Sequence, residues 1–225
     1  MTTGPNPGHS SQSGKFITFE GGEGTGKTTQ IARLCAALEA TGVTVVQTRE
    51  PGGCSQAETI RELLVTGEPG KWKPLTETLL HFAARNEHLD RVIRPALSQG
   101  KWVVSDRFSD STMAYQGYVQ GIGQGVVQDL EALIVQKTRP DLTIILDLPS
   151  DVGLKRAGSR EDTEERYEKM GDAFHAKLKD AFLDIAEQNK ERCVVVDASG
   201  SINEVEARIR RAVEDRLGLS LGESS

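Results

Sequence analysis

Phe16-Ile17-Thr18-Phe19-Glu20-Gly21-Gly22-Glu23-Gly24-Thr25-Gly26-Lys27-Thr28-Thr29 is a short apolar run that passes through glycines into a helix-forming stretch. Residues Gly21 to Thr28 carry the pattern Gly-x-x-x-x-Gly-Lys-Thr. A strand that turns through glycines into a helix leaves several backbone N–H groups unpaired and pointing inward, where phosphate oxygens fit. The spacing predicts a di- or triphosphate site, with ATP or GTP as ligand, built by Gly21, Gly22, Glu23, Gly24, Thr25, Gly26, Lys27 and Thr28. Lys27 would reach the outer phosphates as a point charge, and the Thr28 hydroxyl would hold Mg²⁺. The plain alternative is a strand-to-helix turn that only chances to hold glycines. Strand, loop and helix in the order the motif requires weigh against it.

Outward from this loop, Ile31, Leu34, Cys35 and Leu38 recur at helical spacing as far as Gly42, and a strand follows over Val43 to Thr48. Ala57 to Val65 reads as a short amphipathic helix. Leu75 to Gln99 reads as a long one, with Leu79, Leu80, Phe82, Ala83, Leu89, Val92 and Ile93 in its apolar set and Pro95 bending its last turns. Trp102 to Ser105, Leu142 to Leu146 and Cys193 to Val196 are continuous apolar runs, as strands covered on both faces are. An aspartate follows each: Asp106, Asp147 and Asp197. Helices are predicted over Val126 to Gln136, Glu164 to Gln188 and Ile202 to Leu217. The pattern is α/β, a five-stranded parallel sheet flanked by helices with right-handed crossovers. Ligands gather at the carboxyl ends of such strands, where Glu20, Thr48, Asp106 and Asp147 fall.

A chain of 225 residues has room for one α/β core with a small inserted lid. A net charge of −6 argues against tracking along nucleic acid, which takes a basic face. Cys35, Cys54 and Cys193 are odd in number and widely spaced, which suits a reducing cytoplasm. His9, His81, His88 and His175 make no metal-ligand spacing with a cysteine, so no structural metal is expected. Nothing approaches the roughly 20 apolar residues of a membrane helix, and no export signal stands at the N-terminus, so a soluble, unexported protein is expected. Met1 to Gly14, rich in Gly, Ser, Pro and Thr, is expected to be a disordered lead-in, and residues 220–225 a C-terminal tail.

A phosphate loop does not separate motors, switches and kinases. Thr48-Arg49-Glu50-Pro51-Gly52-Gly53 after the second strand, and Asp106-Arg107-Phe108 after the third, put two arginines at neighbouring strand ends, a suitable grip for a second phosphate group. This favours a small-molecule kinase. Surface ion pairs of Arg49 with Glu50 or Glu58, and of Arg107 with Asp110, are the alternative.

In their order, Phe-Glu-Gly-x-Glu-Gly-x-Gly-Lys-Thr-Thr, Thr-Arg-Glu-Pro-Gly-Gly, Ala-Ala-Arg, Ser-Asp-Arg-Phe and Ala-Tyr-Gln-Gly resemble the motifs of bacterial thymidylate kinases in the P-loop nucleoside monophosphate kinase group. The resemblance covers essentially Lys15 to the C-terminus, with the kinase domain over residues 15–219. It implies the reaction ATP + dTMP → ADP + dTDP, Mg²⁺ dependence, a lid at about 155–168 and a homodimer, with no nucleic acid or membrane partner. By this resemblance Phe82 stacks on thymine and Arg85 donates to a base carbonyl. Ser111, Thr112 and Gln116 lie along the acceptor nucleoside, and Tyr115 packs under the sugar. Arg49 and Arg107 hold the acceptor phosphate. Glu20 sits near the acceptor's 3′-hydroxyl or a metal-bound water, and Asp106 near Mg²⁺. Phe82 is equally readable as a core aromatic, and Glu20 and Asp106 as structural partners of Arg107 or Lys27.

The nucleophile of such a reaction is a phosphate oxygen already largely ionised at neutral pH, so no general base is required. Catalysis then rests on alignment and charge neutralisation by groups such as Lys27 and Arg107. Lys155-Arg156-Ala157-Gly158-Ser159-Arg160, followed by acidic residues and Arg166, reads as a mobile lid. Because the glycine loop lacks an arginine, the resemblance assigns the transition-state charge to a lid arginine: Arg160 first, Arg156 or Arg166 as alternates. Gly158 stands where the family pattern has a denser arginine alternation. The competing functions are a kinase for dUMP, UMP or dCMP, and a nucleotide-dependent switch that phosphorylates no acceptor.

Overall fold

Residues Phe16–Glu20 form β1, the central strand of a five-stranded sheet in a computed structural model that describes residues 14–157, 165–168 and 170–222. After β1 come α1 (Lys27–Ala40), β2 (Val45–Arg49), α2 (Ser55–Val65), α3 (Pro74–His88), α4 (Arg94–Ser98) and β3 (Trp102–Asp106). Then follow α5 (Ser109–Thr112), α6 (Gln124–Ile134), β4 (Leu142–Asp147), α7 (Ser150–Ala157), α8 (Glu165–Glu168), α9 (Asp172–Gln188), β5 (Cys193–Asp197) and α10 (Ile202–Leu217). The strands run parallel in the order β2-β3-β1-β4-β5. This is the predicted sheet. No helix among the described residues is long and apolar enough to cross a membrane.

Side chains alternate across a strand, and β1 sends each set to a different core. Ile17 and Phe19 pack with α1 and α10 through Ile31, Leu34, Leu38, Val205 and Ile209. Phe16 faces α3 and α9 with Phe82, Leu89, Leu178 and Phe182. Thr18 and Glu20 share the Phe16 face, so polar groups are forced into the interior and must find partners there. Thr18 Oγ1 lies 2.9 Å from Thr143 Oγ1 across the β1–β4 register. Arg192 donates to Thr143 and pairs with buried Asp110 at 2.6 Å, so Asp110 is not the partner of Arg107.

Four elements differ from the sequence expectation. Cys193 to Val196 is not covered on both faces: β5 is an edge strand, and Val195 is 42% exposed. The long helix does not merely bend at Pro95. Its proline cannot donate one turn back, and the turn ahead of it, Leu89–Ile93, widens to a π-helix before α4 resumes. Glu164 to Gln188 is broken between α8 and α9 at Gly171, whose φ of +79° is outside helical space. Ser109–Val119, where no element was expected, is α5 followed by a π-helical stretch, Met113–Val119.

Glu20 was expected at the substrate. It is instead wholly buried, because the pleat turns it inward. Its oxygens accept from Phe108 N at 2.8 Å and from the Ser111 hydroxyl at 2.5 Å. Burial, helped by the neighbouring charge of Asp110, pushes its carboxyl up to about 8 from an ordinary value of 4.5. Between those values the unfolded chain gives up a proton that the folded chain keeps, so stability falls as pH rises through the window. Glu20→Gln should flatten the decline of urea midpoints between about pH 5 and about pH 8. An unchanged slope would mean that Glu20 is ionised in the fold.

Candidate active site

The glycine loop is held open by close backbone packing. Gly24 has a φ of +68°, and a Cβ on it would lie 1.9 Å from the carbonyl oxygen of Gly153 on α7. Only glycine lets α7 approach the loop this closely. Lys27, the first residue of α1, is buried and donates to the carbonyls of Gly21 and Gly22 at 3.1 and 2.8 Å. Burial, with Arg107 nearby, pushes its ammonium down to about 8. Thr28 Oγ1 lies 3.5 Å from Asp106 Oδ2 at the end of β3, and Asp106 Oδ1 is buried without a partner. These oxygens are hard donors of the kind Mg²⁺ takes, and Asp106 Oδ1 is an acceptor that the protein leaves unsatisfied.

One cleft of about 170 Å³ runs from Gly24–Thr28 of this loop to α3 and the Met113–Val119 stretch. Arg107 stands at its middle, with a φ of +65° that few non-glycine residues adopt. Its guanidinium donates to Gly21 O at 3.0 Å, Ser111 Oγ at 3.2 Å and Glu23 Oε1 at 2.7 Å. The Tyr115 hydroxyl also donates to Glu23 Oε1, at 2.9 Å, and the Arg107 guanidinium lies 5.4 Å from the Tyr115 ring centre. Burial alone would raise the Glu23 carboxyl, but Arg107 and Lys27 outweigh it and hold it at about 2. Of these two glutamates it is therefore Glu23 that is ionised and faces the cleft.

Arg49 is on the cleft rim in an exposed pair with Glu58 at 2.9 Å. Such a pair contributes no more than about 1 kcal/mol, so it yields readily to a phosphate. At the far end, Arg85 is almost wholly buried. It donates through Nε to Glu50 at 2.7 Å and through one terminal nitrogen to Thr112 Oγ1 at 3.0 Å. Its other terminal nitrogen has no partner. Glu50, preceding a cis proline, also holds His88 at 2.9 Å, and His88 reaches Thr48 at 2.7 Å.

Phe82 does not line the cleft. Its ring is 1% exposed, and the Arg85 guanidinium covers it at 4.8 Å, so the face a base would need is taken. The α3 ring on the cleft wall is His81, one turn before Arg85 on the same helix face, and Phe108, Tyr115 and Tyr167 line the same cleft from other segments. Burial, with Arg85 nearby, lowers its imidazole to about 4, and Nε2 lies 3.0 Å from the Tyr167 hydroxyl. Ser111, Thr112, Tyr115 and Gln116 all reach the cleft. Gly21 and Gly22 sit behind it, lining a smaller cavity against α9.

Of the lid arginines, Arg160 lies outside the described residues. Arg156 is exposed on α7. Arg166 is not at the chemistry: its side chain is 1% exposed and is bound to Glu77 and to the Leu64 carbonyl. A buried carboxylate at 77 explains why an arginine amid glutamates turned inward. Sequence reasoning missed His81, Glu50, Glu77 and Tyr167. Only Glu50 carried a signal, its place in the Thr-Arg-Glu-Pro-Gly-Gly run.

The family model described as thymidylate kinase matches residues 19–209. A thymidylate kinase of Caulobacter vibrioides is 50% identical over 206 residues, covering 92% of this chain and 99% of the relative. One from Magnetococcus marinus is 48% identical, with 92% and 99% covered. The crystal structure of thymidylate kinase from Ehrlichia chaffeensis superposes with a TM-score of 0.70 at 37% identity, covering 89% of this chain and 99% of that one. With its phosphate loop, its arginine-lined cleft and these likenesses, the chain belongs to the thymidylate kinase family.

Proposed function

We infer that this chain transfers the γ-phosphoryl group of ATP to dTMP, giving dTDP and ADP. The observation that carries this is a single cleft joining a phosphate loop to a second polar pocket, with Arg107 between them. The donor's phosphates lie on the loop amides and Lys27. Thr28 and Asp106 would hold Mg²⁺, which would supply positive charge to the donor phosphates. Arg107 and Arg49 take the acceptor phosphate, and the Glu23 carboxylate takes the 3′-hydroxyl, the role sequence gave to Glu20. Glu20 acts one step back, holding Ser111, which in turn accepts from Arg107.

The unpartnered nitrogen of Arg85 donates to a base carbonyl, and Gln116 reaches the base edge. His81 provides the ring wall in place of Phe82. Tyr115, tied to Glu23, packs under the sugar. Because the acceptor phosphate is already ionised, these residues align and neutralise rather than remove a proton.

Residues 15–219 act as one catalytic unit whose lid, about 155–168, closes over the phosphates and brings in Arg160. Exposed Leu75 and Leu79 on α3, with Val126 and Leu133 on α6, support a homodimer through this face. Sedimentation equilibrium giving the mass of one chain at all concentrations would exclude the dimer.

Steady-state ADP formation with Mg-ATP against dTMP, dUMP, UMP and dCMP tests the acceptor. The expected order has dTMP first and dUMP below it by roughly 10- to 200-fold, since a methyl in a pocket contributes only about 1–3 kcal/mol. ADP formation indifferent to every acceptor would leave only the switch. Arg160→Ala should lower kcat by about 10² or more with little change in nucleotide KM. Unaltered turnover would remove Arg160 from the mechanism.

A further inference from the structure

Glu77 on α3 is 0% exposed and does not line the cleft, yet four side chains converge on it. Its Oε1 accepts from Gln116 Nε2 at 2.8 Å, Gln120 Nε2 at 2.8 Å and the Tyr167 hydroxyl at 3.1 Å. Its Oε2 is bound by Arg166. Burial alone would raise this carboxyl, but the hydrogen bonds from Arg166 and the two glutamines keep it below the ordinary carboxylate range. An ionised carboxylate can only accept hydrogen bonds. The Gln116 amide therefore has one permitted orientation, NH₂ toward Glu77, which leaves its Oε1 for the cleft that Gln116 lines.

We propose that Glu77 is a specificity-determining positioning residue, which fixes the Gln116 amide with its oxygen toward the base and so selects a pyrimidine whose ring N3 carries a hydrogen. This deepens the reading of the cleft as a dTMP site and rests on it. Two atoms then define the base edge, the Gln116 oxygen as acceptor and the unpartnered nitrogen of Arg85 as donor. Thymine and uracil present N3–H and O4 and satisfy both. Cytosine presents a bare N3 and a 4-amino group and fails both. Rejection of the 4-amino base thus originates partly in a residue that touches no substrate. Arg166, on α8, contributes by keeping Glu77 charged.

The test is the ratio of kcat/KM for dTMP to that for dCMP, in wild type and in Glu77→Gln. An amide at position 77 offers its oxygen to Arg166 and its NH₂ to Gln116, whose amide is then free to turn its own NH₂ to the base. The ratio should fall by about tenfold or more, through a raised KM for dTMP and a smaller loss or a gain for dCMP. Loss of structure alone would depress both substrates together and leave the ratio unmoved. Glu77→Gln/Arg166→Met removes the unpaired buried arginine and should show the same fall. A ratio within about twofold of wild type in either folded variant overturns the proposal. So does failure of both to fold, which would make Glu77 a stability element. Wild type inactive on dTMP would instead overturn the underlying reading.

Discussion

The guanidinium of Arg107 ties the end of β3 to the phosphate loop, and the cleft depends on that tie. With the loop carbonyl of Gly21, the Ser111 hydroxyl and the Glu23 carboxylate all on one side chain, two strand ends and a loop are held in fixed relation. The left-handed backbone at this residue costs of order 1–3 kcal/mol and persists because the surroundings over-determine it. Lys27, ringed by loop carbonyls, supplies the second positive centre.

Two glutamates three positions apart meet opposite fates for a reason the backbone supplies. Glu20 still belongs to the strand, so the pleat turns it into the core, where burial raises its carboxyl to about 8. Glu23 has left the strand and faces the cleft, where Arg107 and Lys27 hold it near 2 against the effect of burial. One becomes an internal support and the other a solvent-reachable anion. Two more buried carboxylates stand at the far end of the cleft: Glu50, on its wall, accepts from Arg85, and Glu77, behind the wall, accepts from Gln116. Buried carboxylates thus orient the arginine and the amide that line the cleft there.

The sheet, its parallel sense and the phosphate loop were legible because they depend on local pattern: glycines in a fixed frame and apolar runs of strand length. Arg49, Arg85, Arg107 and Tyr115 were also legible, as parts of motifs that fall at strand ends or on one helix. Phe82 against His81 was not, since adjacent helical positions differ by about 100° in direction and only the packing of Arg85 onto Phe82 decides which one faces the cleft. Glu20 was misplaced because a strand end looks the same in sequence whether its last side chain turns in or out. Glu77 and Arg166 lie 89 positions apart, and no local signal joins them. The π-helical stretch carrying Tyr115 and Gln116 likewise rests on tertiary contacts with α6 and α9 rather than on propensity.

A crystal structure of this chain with dTMP and a nonhydrolysable ATP analogue tests the central arrangement most directly. The expected density has the dTMP phosphate on Arg107, its 3′-hydroxyl at Glu23, its base edge at Arg85 and Gln116, and the analogue's phosphates on the loop at Lys27. A dTMP phosphate bound away from Arg107, or a base seated elsewhere than between His81 and Gln116, would contradict it.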